Sequence, residues 1–159
     1  MICAAGDDKD KSLMLDARTG APSIELHGQR DHAFSCSFSP DGFHLAIGVQ
    51  DRTCRVFDMR NTGQLFQTLD AIAFPVRSVN YSSCGRFLAV AEECDYVRIY
   101  KTADDYASSQ LIETVGEIAG VAFQPDSHQL YISNGDPGIG CLLQYSEQTA
   151  LYSLESLLF

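Results

Sequence analysis

The chain has 159 residues, 45% of them hydrophobic, which is enough for one globular core, and its formal net charge is −10. That acidic excess disfavours nucleic acid and anionic membrane as partners of the whole surface, because phosphates are bound by Lys and Arg. No apolar run approaches the roughly 18–20 residues of a membrane-spanning helix, and the opening Met1-Ile2-Cys3-Ala4-Ala5-Gly6-Asp7-Asp8 lacks the basic and apolar regions of a secretory leader.

Residues 2–6 and 13–16 read as two short apolar strands, with a turn at Ala17-Arg18-Thr19-Gly20 and a further strand at Ser23-Ile24-Glu25-Leu26. A lead-in loop, Gly28-Gln29-Arg30-Asp31-His32, precedes an alternating run that ends at Phe38. Ser39-Pro40-Asp41-Gly42 is turn chemistry: proline presets φ, aspartate bonds its own backbone and glycine supplies positive φ. Leu45-Ala46-Ile47-Gly48-Val49 is a strand, Gln50-Asp51-Arg52 turns the chain, and Thr53-Cys54-Arg55-Val56-Phe57 alternates and is rich in β-formers. Residues 65–69 form the outer strand of that group.

The pattern then recurs. Phe38, Tyr81 and Phe123 each end a strand-like run before a turn, at steps of 43 and 42 residues. Leu45-Ala46-Ile47, Leu88-Ala89-Val90 and Leu130-Tyr131-Ile132 follow the turns, and apolar runs ending at Phe57, Tyr100 and Tyr145 come next. Four short strands per period of about 40–45 residues is the signature of a propeller blade. The units are 1–26, which lacks its first strand, then 27–69, 70–114 and 115–159. In the third, Ser82-Ser83-Cys84-Gly85 replaces Ser-Pro-Asp-Gly, Lys101 stands where the repeat has aspartate, and residues 106–110 read as a polar loop. In the fourth, residues 134–140 are a Gly/Pro loop, while residues 151–159 suit a helical stripe better than a half-buried strand and would make an unusually apolar outer strand.

The stretch from Phe38-Ser39-Pro40-Asp41-Gly42 to Thr53-Cys54-Arg55-Val56-Phe57-Asp58 resembles the central part of a WD40 repeat, with Phe57-Asp58 in place of the Trp-Asp pair. The likeness covers roughly residues 27–145, and it is nearest to poorly characterised WD-repeat proteins of fungi and plants. It implies an all-β fold, a partial WD40-like β-propeller of about three and a half four-stranded blades. The resemblance gives Asp51, Phe57 and Asp58 blade-structural roles. Gln29 replaces the family's histidine, Ile47 its strand serine and Phe57 its tryptophan, so the usual His–Ser–Trp–Asp bonding is incomplete and packing is expected to hold the blade.

Catalytic chemistry finds little support. His27, His32, His44 and His128 are scattered, with His44 and His128 read as equivalent turn positions. The six cysteines form no Cys-x-x-Cys pair, and Asp7, Asp8 and Asp10 lack the glycine and distant glutamate of a calcium loop. No catalytic residue, cofactor or metal is therefore expected. In WD-repeat propellers the lead-in loops and the turns between middle strands share one face. Here those segments (about 7–11, 28–32, 49–52, 70–77, 92–95, 114–117 and 133–138) carry Asp7, Asp8, Asp10, Asp31, Asp51, Glu92, Glu93, Asp95, Glu117 and Asp136 against Lys9, Lys11, Arg30, Arg52 and Arg77. The expected contact residues are Arg52, Arg77, Glu92, Glu93, Asp95 and Tyr96, and the expected partner is a protein or peptide, with a basic segment favoured. The leading reading is a non-enzymatic protein-interaction scaffold of cytoplasm or nucleus. Its competitors are a structural fragment of a longer propeller, whose open blade edges would self-associate, and a propeller hydrolase or lyase.

Overall fold

A computed structural model of the chain describes residues 2–4, 11–61, 63–136, 138 and 140–147. The region 151–159 and the acids Asp7, Asp8 and Asp10 lie outside the described residues.

Thirteen strands are described, and every pairing is antiparallel. β1 (Ile2–Ala4), β2 (Lys11–Leu15) and β3 (Pro22–His27) make a three-stranded sheet in chain order. β4 (Ala33–Phe38), β5 (His44–Val49), β6 (Thr53–Asp58) and β7 (Gln64–Asp70) make a four-stranded meander. β8 (Val76–Tyr81), β9 (Phe87–Glu92), β10 (Cys94–Lys101), β11 (Ser109–Phe123), β12 (Gln129–Asn134) and β13 (Cys141–Ser146) form one continuous series. The link in that series is β11. Its first half pairs with β10, from Tyr100↔Ser109 to Tyr96↔Glu113, and its second half with β12, from Ile118↔Asn134 to Phe123↔Leu130. One strand of 15 residues is thus the outer edge of the third meander and the inner strand of the fourth. The join expected at 114/115 falls inside it, and Ser109 and Gln110 belong to it rather than to a loop.

The sheets curl into a partial propeller, and the core lies between them in three layers. Met14 and Leu26 pack on Ala33, Leu45, Ile47, Val49 and Phe57 between the first and second sheets. Ala46, Cys54, Val56 and Leu69 meet Val76, Val79, Tyr81, Leu88 and Val90 between the second and third. Ala89, Ala91, Val97 and Ile112 meet Ile118, Val121, Leu130 and Ile132 between the third and fourth. A middle strand such as β5 is sandwiched by both neighbours, so Leu45 through Val49 are all buried and the alternation of a one-sided strand disappears. Small residues allow the close approach. A Cβ on Gly48 would lie 2.8 Å from Val76 Cγ1 and from the Val76 carbonyl oxygen.

Two features repeat with the period. Ser37 Oγ accepts the Tyr81 amide at 3.1 Å, and Asn80 Oδ1 accepts the Phe123 amide at 3.2 Å, so the inner strands β4 and β8 each hydrogen-bond the inner strand that follows, β8 and β11. The inner strand also bulges at one repeat position, between Ala33 and Ser35, Val76 and Ser78, and Ile118 and Gly120. The bulged residues are Phe34, Arg77 and Ala119. A bulge re-aims the side chain it carries, and these three sit at the end of the sheets where the lead-in loops arrive.

Candidate functional site: the lead-in face

Asp51 closes the turn between β5 and β6. Its carboxylate accepts the Arg30 amide at 3.0 Å, the Thr53 hydroxyl at 2.5 Å and a guanidinium N–H of Arg55 at 3.2 Å. Burial alone would raise its pKa; the bonds from Thr53 and Arg30 and the Arg55 charge outweigh that and hold it below the ordinary value. Arg55 is itself buried, and its Nη1 lies over Gly28, where a Cβ would come within 3.2 Å. Gln29, in the place of the family histidine, is buried and accepts the Ser12 hydroxyl of the preceding sheet at 3.1 Å. The second blade is therefore tied by a polar network as well as by packing. This corrects the expectation of packing alone: alternation across a half-buried strand places Arg55 outside, whereas a strand buried on both faces takes it in and requires Asp51 to pair it. Phe57 is almost wholly buried in the first core layer. Asp58 chelates Arg60 through Nε at 3.0 Å and Nη2 at 2.9 Å, and the Arg60 side chain, with its amide, brings the Asp58 pKa down to about 2.

The third blade uses a different carboxylate for the same task. Glu92, the last residue of β9, accepts three successive amides: Ile72 at 2.6 Å, Ala73 at 2.9 Å and Phe74 at 2.7 Å. It is buried, so it shapes the loop before β8 from behind. Glu93, next in the chain, is half-exposed and pairs with Arg77 at 3.0 Å. The Arg77 guanidinium lies 4.1 Å from the centroid of the Phe34 ring. Phe34 and Arg77 are the bulge residues of neighbouring sheets, so a cation–aromatic platform bridges two blades and ends at Glu93.

Asp95 occupies the turn before the body of β10, at φ 63°, as Arg52 does in the preceding sheet at φ 66°. Its carboxylate accepts the Gly116 amide at 2.8 Å. Gly116 also adjoins Asp136, whose Oδ2 would be 2.9 Å from a Cβ there. Glu93, Asp95, Glu117 and Asp136 surround Cys94: burial first, then these four charges, push its thiol pKa up. The fold thus gathers Arg77, Glu93 and Asp95 of the expected contact residues on one end of the sheets, with Glu92 beneath them. Arg52 is exposed on the neighbouring turn, and Tyr96 is half-buried on β10 opposite Glu113. Sequence reasoning missed Phe34; its signal is the 43-residue step to Arg77. His44 and His128 are not equivalent, because Leu45 and Leu130 share a register position and put His44 level with Gln129. Among the described residues, no group of three or more His, Cys, Asp or Glu is arranged to hold a metal ion.

A family model described as the nucleolar protein 10-like N-terminal domain, a β-propeller, matches residues 5–142. The chain belongs to this WD-repeat β-propeller family. Relatives include the guanine nucleotide-binding protein subunit beta of Zea mays, 31% identical over 87% of this chain and 34% of its own length. The target of rapamycin complex subunit LST8 of Mus musculus is 24% identical over 88% of this chain and 46% of its own length. The pre-mRNA-processing factor 19 homolog 2 of Arabidopsis thaliana is 25% identical over 86% of this chain and 26% of its own length. The chain therefore spans less than half the length of these curated relatives. Among solved structures, hydrazine synthase of Kuenenia stuttgartiensis superposes with a TM-score of 0.77 at 17% identity, covering 86% of this chain and 40% of that one, a likeness of fold.

Proposed function

We infer that this WD-repeat domain is a non-enzymatic interaction module whose lead-in face takes a basic segment of a partner protein. The observation that carries this reading is the convergence of Glu93, Asp95, Glu117 and Asp136 around Cys94, beside the Arg77–Phe34 platform. Carboxylates at this density favour Lys and Arg, and an aromatic face with a stacked guanidinium offers a flat anchor. Arg52, Arg77, Glu93, Asp95 and Tyr96 are the proposed contacts, with Glu92 holding the loop that presents them. The names of relatives support assembly with other proteins: a subunit of a target of rapamycin complex, a guanine nucleotide-binding protein subunit, and an actin-interacting protein. The nucleolar family description supports a nuclear setting, and a cytoplasmic one stays compatible with the other relatives.

The test is titration of the isotope-labelled chain with an eight-residue Lys/Arg peptide and an equally long Asp/Glu peptide. The expected result is shifts at Glu93, Asp95 and Glu117 with the basic peptide alone, weakened by Glu93→Lys. Shifts spread evenly over the surface, or equal response to both peptides, would overturn the reading.

A second reading is favoured by coverage: the chain spans 26–46% of the three relatives named above, and among the described residues the outer edges of β1 and β13 are unpaired. In it the chain is a portion of a larger ring and self-associates through its open edges. Urea unfolding with size-exclusion chromatography at several concentrations separates the two. A sharp transition at a fixed mass supports an autonomous module; a broad one with concentration-dependent growth supports the portion.

A further inference from the structure

Tyr106 fills the slot between the second and third sheets near the end opposite the lead-in face. It is 2% exposed, and its hydroxyl lies 2.7 Å from the Tyr81 hydroxyl and 3.3 Å from His44 Nδ1. Its ring meets His44 and Phe66 edge-on at 6.1 and 6.4 Å. The corresponding slot between the third and fourth sheets is a groove of about 500 Å³. Its apolar walls are Phe87, Ile99, Ile112, Phe123, Leu130 and Tyr145, and Gln110, Ser127, Gln129 and Ser146 line it as well. Sheet register makes Phe87 the counterpart of His44 and Phe123 that of Tyr81. Where Phe66 stands in the second sheet, β11 has Ser109 and Gln110, which are smaller or more polar.

The rim differs too. Lys101 occupies the position of Asp58 and lines the groove; among the described residues it makes no ion pair. Glu147, on the opposite lip, is already engaged by Arg86 at 3.0 Å and lies 3.6 Å from His128. The groove therefore joins apolar aromatic walls to an exposed lysine that is held in no ion pair among the described residues, although its charge also acts on the carboxylate of Asp104, which is exposed at the rim. We propose that the groove between the third and fourth sheets binds a segment of a partner protein that inserts a phenylalanine side chain and sets a neighbouring carboxylate on Lys101. The twin slot already holds an aromatic ring in this way. Phe123 and Phe87 stand where Tyr81 and His44 bond the Tyr106 hydroxyl, so a ring seated as Tyr106 is seated finds neither of those partners, and at that position the walls favour phenylalanine over tyrosine. The surface and the charge of the partner both differ from those of the lead-in face, and this proposal does not rest on that reading.

The test uses the full isotope-labelled chain and the probe Ac-Ser-Phe-Asp-Glu-Ser-NH2, with Phe→Ala, Phe→Tyr and Asp-Glu→Lys-Lys versions as controls. The expected result is shifts at Ile99, Lys101, Ile112 and Leu130, with each control weaker and the Ala and Lys-Lys versions at least tenfold so. Lys101→Glu and Gln110→Trp, both at exposed positions, should each weaken the probe at least tenfold, the first by charge and the second by filling the groove. Absence of shifts at the groove, equal binding of the controls, or binding that appears only after residues 148–159 are removed would overturn the proposal; the last would assign the groove to the chain's own terminal segment.

Discussion

The Asp51 carboxylate accepts the Arg30 backbone amide at 3.0 Å, so the turn leaving β5 holds the loop that leads into β4. The same carboxylate neutralises Arg55, which is 8% exposed. Asp51→Ala strands that guanidinium without a counter-charge and should cost about 2–4 kcal/mol of unfolding free energy, read from urea denaturation. Because the folded-state pKa of Asp51 lies below its ordinary value, its contribution is complete at neutral pH and is lost as pH falls through the folded-state value. Asp51→Asn should therefore flatten the acid limb of the stability profile. An acid limb identical to that of the parent chain would contradict the account.

Glu92 holds residues 72–74 through three amides. Glu92→Gln keeps the size but offers one carbonyl and turns an NH2 toward N–H donors, so it should cost about 1–3 kcal/mol. The loop also presents the lead-in face, and faster amide hydrogen exchange at Ile72, Ala73 and Phe74 should accompany the loss. Unchanged exchange there would mean the loop is held by other contacts.

The period, the strands and the turn signals were legible because each rests on local chemistry: Pro40 and Gly42 in a turn, Leu45 to Val49 in a strand, and the 42–43-residue step of Phe38, Tyr81 and Phe123. What escaped was set by neighbouring sheets. Tyr106 looks like part of a polar loop because its neighbours are Asp105 and Ser108, yet it is a buried plug, since the space it fills lies on another blade. Arg55 looks like the outward residue of an alternating strand, yet β6 is covered on both faces. Of the contact residues, Arg77, Glu93 and Asp95 could be placed on one end from the repeat alone. The role of Glu92 beneath them could not, because Glu92 and Glu93 are adjacent in sequence and point to opposite environments.

Tyr106 should titrate late. Burial first, and the nearby Cys54 and Asp41, push its pKa up to about 12, while the Tyr81 hydroxyl bond works the other way. Tyr81, also buried and bonded to Tyr106, is raised further. A raised tyrosine pKa adds stability that is full below the unfolded value near 10 and is lost as pH rises toward the folded value. Ultraviolet difference titration should show two tyrosines that ionise only as the chain unfolds. Tyr106→Phe should cost about 1 kcal/mol by leaving the Tyr81 hydroxyl without its partner, and Tyr106→Ala about 3–5 kcal/mol by opening a cavity between the sheets.

Cys84 stands in the third blade where Asp41 stands in the second, and it inherits an anion-holding turn. Asp41 accepts the Ser39 hydroxyl at 2.5 Å and the Phe43 amide at 2.9 Å. Cys84 Sγ lies 3.4 Å from the Ser82 hydroxyl and 3.4 Å from Arg86 Nε. Burial opposes ionisation, but bonds from Ser127, Ser82 and Arg86 outweigh it and bring the thiol pKa down to about 6. Cys54, wholly buried, is pushed up to about 12. At neutral pH iodoacetamide should therefore label Cys84 well before Cys94 and leave Cys54 unlabelled until denaturant is added, as read by peptide mass spectrometry. Cys84→Asp restores the carboxylate of the second blade and should leave the unfolding free energy within about 0.5 kcal/mol of the parent, whereas Cys84→Leu should lower it. Equal labelling of Cys84 and Cys94 at pH 7, or a Cys84→Asp chain that unfolds as early as Cys84→Leu, would show that the turn does not hold an anion.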